Sequence, residues 1–371
     1  MRKKDKEKEP DRQDPGDAVL LILVLVLTAF GLAMLYSTSA YNGRVRFQDS
    51  GYYFKKQLFA TTLGFVVMYL VSQIDYRMIV QLAPGLYVIS MLLSIAVLLF
   101  GQEINGSKRW LSLGPLSFQP SEFAKVAVIL FLAWQIDRTE RNTSGLWFMC
   151  RTMLTLLPIV GLVGTNNLST AIIILGIGVI LIFMSNPKYL QFIGLGVTGV
   201  CFAAVFLAAE SYRLERIAIW RNPEKYEKGF QTIQGLYAIG SGGLFGTGFG
   251  SSLQKLGFVP EAQNDMIFSI ICEELGLVGA GILMLLFLLL LWRLAVIAMA
   301  GRDLMGALIG AGIMGHLAIQ VILNIAVVTN TIPNTGITLP FVSYGGTSVM
   351  FLLGEMGLAW NVSRHRKRTA A

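Results

Sequence analysis

Apolar residues in this chain gather into long runs, and polar residues mark the gaps between them. Runs near 18–36, 57–73, 83–101, 121–136, 149–163, 168–185, 188–208, 268–292, 304–328 and 342–361 approach the length that a helix needs to cross a bilayer. A helix that is apolar all round belongs in lipid or in a large core. The pattern predicts an all-α polytopic membrane protein of ten transmembrane helices, with a large structured loop at about 209–267 between the seventh and eighth. An even number of crossings returns both ends of the chain to one side.

Composition agrees. Of 371 residues, 54% are hydrophobic and 14% charged, where a soluble domain carries about a quarter charged; the mean hydropathy is +0.62. The net charge of +8 sits in tails and short loops. That is the membrane-topology pattern rather than a nucleic-acid stripe, so no nucleic-acid partner is expected. Arg2, Lys3, Lys4, Lys6, Lys8 and Arg12 at one end and Arg364, Arg366, Lys367 and Arg368 at the other place both termini in the cytoplasm. Residues 1–17 read as a disordered cytoplasmic tail, 18–363 as the membrane domain with an uncleaved first span, and 364–371 as a basic cytoplasmic tail. Arg44, Arg46, Lys55 and Lys56, on the outer side of this topology, run against the charge rule. Cys150, Cys201 and Cys272 lack metal-ligand spacing and read as core residues. His316 lies mid-span, where it packs or hydrogen-bonds.

Polar residues at membrane depth need a reason. From Gly229 to Gly276 the chain is Gly-rich and polar, then meets Asp265 where a long apolar run begins. Asn264 or Asp265 suits a cap for the helix starting near Met266; Asp265 equally suits an acid/base group at the outer face. The two readings are compatible. Between 102 and 125 stand Arg109, Trp110 and alternating leucines, which suit an interfacial segment, and then Glu122 and Lys125, i,i+3 neighbours at a helix start. That pair either ties two spans together or lines a polar cavity. The loop cations Arg213, Arg216, Arg221, Lys225, Lys228 and Lys255 either form a solvated face or hold a lipid phosphate. Gly246-Thr-Gly248-Phe-Gly250 is not a dinucleotide fingerprint, because no strand precedes it. From Ile332 to Ser348, two prolines and three glycines break the helix, giving either a re-entrant turn or one wall of a groove carrying Ser343 and Tyr344.

Five motifs in this order resemble one family: Gln119-Pro-Ser-Glu-Phe-Ala-Lys125, Ala238-Ile-Gly-Ser-Gly-Gly-Leu244, Pro260 through Asp265, Glu273-Glu-Leu-Gly276 and Leu339-Pro-Phe-Val-Ser-Tyr-Gly-Gly346. They are similar to those of the SEDS (shape, elongation, division and sporulation) proteins, the FtsW/RodA/SpoVE type of bacterial peptidoglycan polymerases. Thr338 is closer to the division and sporulation branch. The resemblance implies a ten-span fold in the cytoplasmic membrane and a glycosyltransferase that polymerises lipid II. It also implies a class B penicillin-binding protein as transpeptidase partner, alongside other division or sporulation membrane proteins. The family's essential aspartate falls on Asp265, its Glu and Lys on Glu122 and Lys125, and its Arg-Trp pair on Arg109 and Trp110. One departure stands out: the usual Gln-Pro-Asp-Leu-Gly-Thr is Thr165-Asn-Asn167-Leu-Ser169-Thr170 here, so Asn167 replaces an acid.

A site facing outward has no ATP, so its substrate must arrive activated, as a sugar on polyprenyl pyrophosphate does. Asp265 is then the catalytic residue, and Arg109, Trp110, Glu122, Lys125, Arg213, Arg216, Ser343 and Tyr344 are the substrate-binding candidates. A divalent cation (Mg or Mn), held in part by Asp265, is the one cofactor the chemistry leaves open. Two rival readings use the same residues: a carrier that moves lipid II without chemistry, and a division scaffold that has lost activity.

Overall fold

The computed structural model of the chain describes residues 16–104, 107–113, 116–139, 145–185, 211–260 and 262–365, together with the isolated positions 193, 196 and 199. In chain order its helices are α1 (Ala18–Phe47), α2 (Tyr52–Gln73), α3 (Tyr76–Gln81), α4 (Ala83–Phe100), α5 (Pro120–Asp137), α6 (Gly145–Asn166) and α7 (Leu168–Ser185). Then follow α8 (Ser211–Arg221), α9 (Phe230–Ser241), α10 (Ile267–Met299), α11 (Leu304–Val328) and α12 (Gly346–Arg364). Seven of these, α1, α2, α4, α6, α7, α10 and α11, are long and apolar enough to cross a membrane. Helices α5 and α12 are of similar length, but carry buried charges. The expected span at 188–208 lies outside the described residues apart from those isolated positions.

The all-α expectation needs one correction. Strands β1 (Gln102–Ile104), β2 (Ser107–Leu113) and β3 (Leu116–Phe118) form a small antiparallel meander over the α4–α5 connection. The leucines around Trp110 alternate with a period of two, which is the strand period; β2 pairs Trp110 with Gln102 and Leu111 with Phe118. Helix α1 runs past its expected end at 36 to Phe47, so Arg44 and Arg46 lie in its last turn rather than in a loop.

Both ends of the membrane unit meet on one face. Asp17 caps α1 through Leu20 N–H (3.0 Å), its own N–H donates to Ser363 Oγ at the end of α12 (3.0 Å), and its carboxylate pairs with Arg293 at 2.6 Å. Nearby, Asp303 accepts from Tyr76 Oη at 2.8 Å and pairs with Arg77 at 2.8 Å. We call this the tail end. Helices pack closely where glycine removes a side chain: a Cβ at Gly357 would lie 2.5 Å from Met68 O of α2, and one at Gly312 would lie 2.8 Å from Ile129 of α5.

Helix α10 is broken near the opposite end. Gly276 has φ 67° and ψ −169°, a region essentially reserved for glycine. The loop after α9 enters this break. Leu277 and Val278 N–H donate to Gly243 and Leu244 carbonyls, while Thr247 and Gly248 N–H donate to Glu273 and Glu274 carbonyls. Each half-helix thus finds partners for its orphan backbone groups in the loop. The closeness demands glycine on both sides, since a Cβ at Gly276 would lie 2.4 Å from Gly246 N and one at Gly242 would lie 1.9 Å from Cys272 O.

The two adjacent acids fasten the same loop. Glu273 accepts from Ser252 Oγ and from Leu253 N–H (3.0 Å). Glu274, fully buried, pairs with Lys255 at 2.6 Å and accepts from Ser37 of α1 at 2.8 Å. Lys255, expected among the loop cations, is therefore committed inside the protein. Cys272 is buried as expected, whereas Cys150 is exposed on α6.

Candidate active site

The residues at the end opposite the tails converge on the irregular segment 329–345. Asp265 closes the loop that leads into α10. The first helical residue is Ile267 and the N-cap position belongs to Met266, so neither Asn264 nor Asp265 takes the capping place expected of it. The side chain of Asp265 accepts a long hydrogen bond from Gln231 Nε2 of α9 (3.4 Å), and the residue is 9% exposed. Its backbone is held too: Asn324 Nδ2, on α11, donates to Asp265 O at 2.8 Å and to Ile337 O at 2.7 Å. One buried amide thus ties the loop to the irregular segment.

Arg109 approaches from the meander. Its Nε donates to Asn166 O at the end of α6 (3.2 Å). A Cβ at Gly336 would lie 3.6 Å from Arg109 Nη1 and 3.9 Å from Asp265 Oδ2. Carboxylate and guanidinium therefore face the same small space, left open by a glycine with φ 69°. Arg216, on α8, donates to Asn334 O at 3.1 Å, and Trp220 Nε1 donates to Asn330 O at 2.9 Å. Ser169 Oγ donates to Thr335 O (3.2 Å). Arg213 lies on α8 too, but its side chain is outside the described residues.

Asn167 sits beside this space without charge. It is the residue before α7, and its Oδ1 accepts from Thr170 N–H at 3.2 Å. An N-cap takes asparagine and aspartate equally well, which accounts physically for the departure noted in the sequence.

Glu122 and Lys125 stand in the first turns of α5. Both are buried and pair at 2.9 Å. Ser348 donates to Glu122 Oε2 (2.7 Å), and Lys125 Nζ donates to Gln320 Oε1 (3.0 Å). Gln320 in turn donates from Nε2 to Thr338 O at 3.1 Å. His316, one turn earlier on α11, contacts Gln320 Oε1 through Nε2 at 2.8 Å and Glu355 through Nδ1 at 2.8 Å. Reading the residues singly missed Gln320, Asn324 and Glu355. The signal for the first two was a polar stripe, His316, Gln320 and Asn324, spaced by four within an apolar run.

Ser343 commits its hydroxyl to Leu339 N–H (2.8 Å), closing the turn before α12. Tyr344 N–H donates to Gln263 O (2.9 Å), and its ring meets Tyr53 edge-on with centroids 5.0 Å apart. Trp110 is half-buried in β2. A narrow cleft is lined by Ser94, Lys108, Arg109, Ser121 and Asn167.

Fold and site together define a polytopic helical membrane protein with a buried carboxylate and flanking arginines at one end of its bundle. The chain belongs to the FtsW/RodA/SpoVE family, whose model, described as "Cell cycle protein", matches residues 17–368. It is 38% identical over 357 residues to stage V sporulation protein E of Bacillus subtilis, covering 95% of this chain and 98% of that protein. It is 35% identical to a probable peptidoglycan glycosyltransferase FtsW of Trichlorobacter lovleyi, covering 96% and 95%. Among solved structures it matches a chain reported under "Structural coordination of polymerization and crosslinking by a peptidoglycan synthase complex", with a TM-score of 0.81, 31% identity, and 95% and 99% coverage. The rod shape determining protein RodA of Thermus thermophilus matches with a TM-score of 0.72 and 31% identity, covering 95% of this chain and 98% of that one.

Proposed function

We propose that this chain is a peptidoglycan glycosyltransferase that extends glycan strands from lipid II at the outer face of the bacterial cytoplasmic membrane, in division or sporulation, with Asp265 as its general base. The observation that carries the reading is the shared space before Gly336, which Asp265 and Arg109 both border. A base and a cation bordering one space are what glycosyl transfer from a pyrophosphate requires. Asp265 takes the proton from the acceptor GlcNAc 4-hydroxyl as that oxygen attacks C1 of the donor MurNAc. The C1–O bond to pyrophosphate breaks with inversion, giving the β-1,4 link. Arg109, with Arg216 and Arg213 from α8, stabilises the departing pyrophosphate. Among the described residues no cluster of three His, Cys, Asp or Glu is placed to hold a metal by itself. A divalent cation would rest on Asp265 and the pyrophosphate oxygens, the usual manner for Mg²⁺.

The topology supports the outward placement. The part of α10 after its break, 277–299, is about 34 Å long at the helical rise per residue, enough to span the hydrocarbon core. Gly276 then lies at the membrane border and Asp265 beyond it, on the side away from the Asp17–Arg293–Ser363 contacts. Helix α7 runs antiparallel to α11, from the site end towards the tail end, with Gly176 against Ile319 and, further along, Ile180 against Gly315. Helix α8 lies at the site end, where Arg216 and Trp220 hold it to 330–334; ten spans with both termini cytoplasmic are part of this proposal. A class B penicillin-binding protein is the expected partner, given a structural neighbour whose reported title joins polymerisation to crosslinking.

Purified protein given labelled lipid II in detergent tests the reading. Wild type yields glycan chains, and Asp265→Asn loses about 10²–10⁴-fold in rate, the usual contribution of a general base, with an unchanged melting temperature. Full polymerisation by Asp265→Asn would remove the assignment; no products from wild type, alone or with its transpeptidase partner, would favour a carrier.

A further inference from the structure

One buried ionisable pair in the bundle is not used by the chemistry above. His316 and Glu355 are each 1% exposed, at the middle of α11 and α12. An intramembrane ionisable pair seldom stabilises a fold better than apolar packing would, so its presence calls for a role.

The hydrogen bonds fix where its protons lie. Gln320 Nε2 donates to Thr338 O, which turns Oε1 towards both Lys125 Nζ and His316 Nε2. That oxygen only accepts, so His316 Nε2 must carry a hydrogen. Nδ1 then faces the Glu355 carboxylate at 2.8 Å and 3.1 Å. A bare nitrogen against a carboxylate would set two acceptors face to face. One proton therefore lies between them, whichever partner holds it, and the pair is neutral overall. The other ionisable groups facing this network are Lys125 and Glu122 from α5, themselves paired at 2.9 Å.

Resting on the reading of Asp265 as the base, we propose that His316 and Glu355 are positioning residues for the transfer reaction. The proton they share at Nδ1 keeps the other hydrogen on His316 Nε2, and that Nε2 hydrogen orients Gln320. Gln320 then fixes two things at once, the Lys125 ammonium and the Thr338 carbonyl, in the backbone wall that Asn324 fastens to Asp265.

The test compares kcat and KM for lipid II polymerisation per folded molecule. Glu355→Leu strands Nδ1, and is expected to lower kcat by about ten- to a hundredfold, the cost of a small misplacement, with KM changed by less than about threefold. Glu355→Gln can donate its amide N–H to a bare Nδ1, keeps the His316 Nε2 hydrogen in place, and is expected to restore most of kcat. Unchanged kcat in Glu355→Leu, or equal loss in both variants, would overturn the proposal. If the pair acts through Gln320, Glu355→Leu has no further effect in a Gln320→Leu background; additive losses would refute that route. Should Glu355→Leu not fold, ¹⁵N-histidine NMR of the otherwise intact chain decides, because His365→Asn leaves His316 as the sole histidine. A protonated Nε2 at neutral pH is expected, and a bare one sinks the idea. Failure of the parent reading would look different: Asp265→Asn would polymerise at the wild-type rate whatever the Glu355 variants do.

Discussion

Gly336 holds the candidate site open by having no side chain. At φ 69°, an alanine would be strained by about 1–2 kcal/mol. Its methyl would also lie 3.6 Å from Arg109 Nη1 and 3.9 Å from Asp265 Oδ2, in the space assigned to the reacting sugars. Gly336→Ala is therefore expected to melt a few degrees lower and to lose polymerisation out of proportion to that loss, measured as kcat per folded molecule. Asn167 makes the opposite case. Because its side chain works as a cap for α7, Asn167→Asp is expected to leave stability and activity nearly unchanged, whereas Asn167→Ala costs about 1 kcal/mol. Chemical denaturation in detergent distinguishes the two. A large activity gain in Asn167→Asp would show that charge matters at this position after all.

The broken α10 is the element on which the loop at 242–265 depends. Its first part, 267–275, carries the loop that ends in Asp265, and its second part continues through the membrane. The loop from 242 to 260 locks the two parts together through backbone hydrogen bonds and the Glu274–Lys255–Ser37 cluster. Gly276→Ala meets a backbone conformation that costs about 1–3 kcal/mol for a non-glycine residue. It also meets a clash with Gly246 N and Leu244 O that only separation of loop and helix relieves. The expected outcome is a lower melting temperature, together with new protease cleavage between 242 and 260. Protection of that loop equal to wild type would mean the interlock is not as tight as its distances imply.

At the scale of the whole molecule, the tail end closes the bundle as the site end opens it. Asp17, Arg293 and Ser363 join α1, α10 and α12, while Asp303 gathers Tyr76, Arg77 and the start of α11. Burial pushes the Asp303 carboxyl up, but Gly306 N–H, the Arg77 guanidinium and the Tyr76 hydroxyl outweigh it and hold it below the ordinary carboxylate value. A depressed carboxylate stabilises the fold fully above its unfolded-state value, and the contribution fades as pH falls through the folded-state value. Asp303→Asn should thus lower the melting temperature at neutral pH and match wild type only below the ordinary carboxylate range. A pH-independent difference would contradict this account.

Hydropathy alone determined that the chain is a helical membrane protein, because runs of this length have no other stable place. Motif order pointed to the family, and the single carboxylate at a run's edge pointed to Asp265. Tertiary structure decided the rest. The meander around Trp110 was hidden because its two-residue period is short and sits between spans, and the capping place expected for Asp265 went to Met266 because α10 begins one residue later. The His316–Gln320–Asn324 stripe showed polar groups at helical spacing, but not their partners. Glu355, Lys125 and the carbonyls of 337 and 338 lie on other elements. Hydrogen bonds between distant segments depend on how helices pack, and packing is a property of the assembled bundle rather than of any one run of residues.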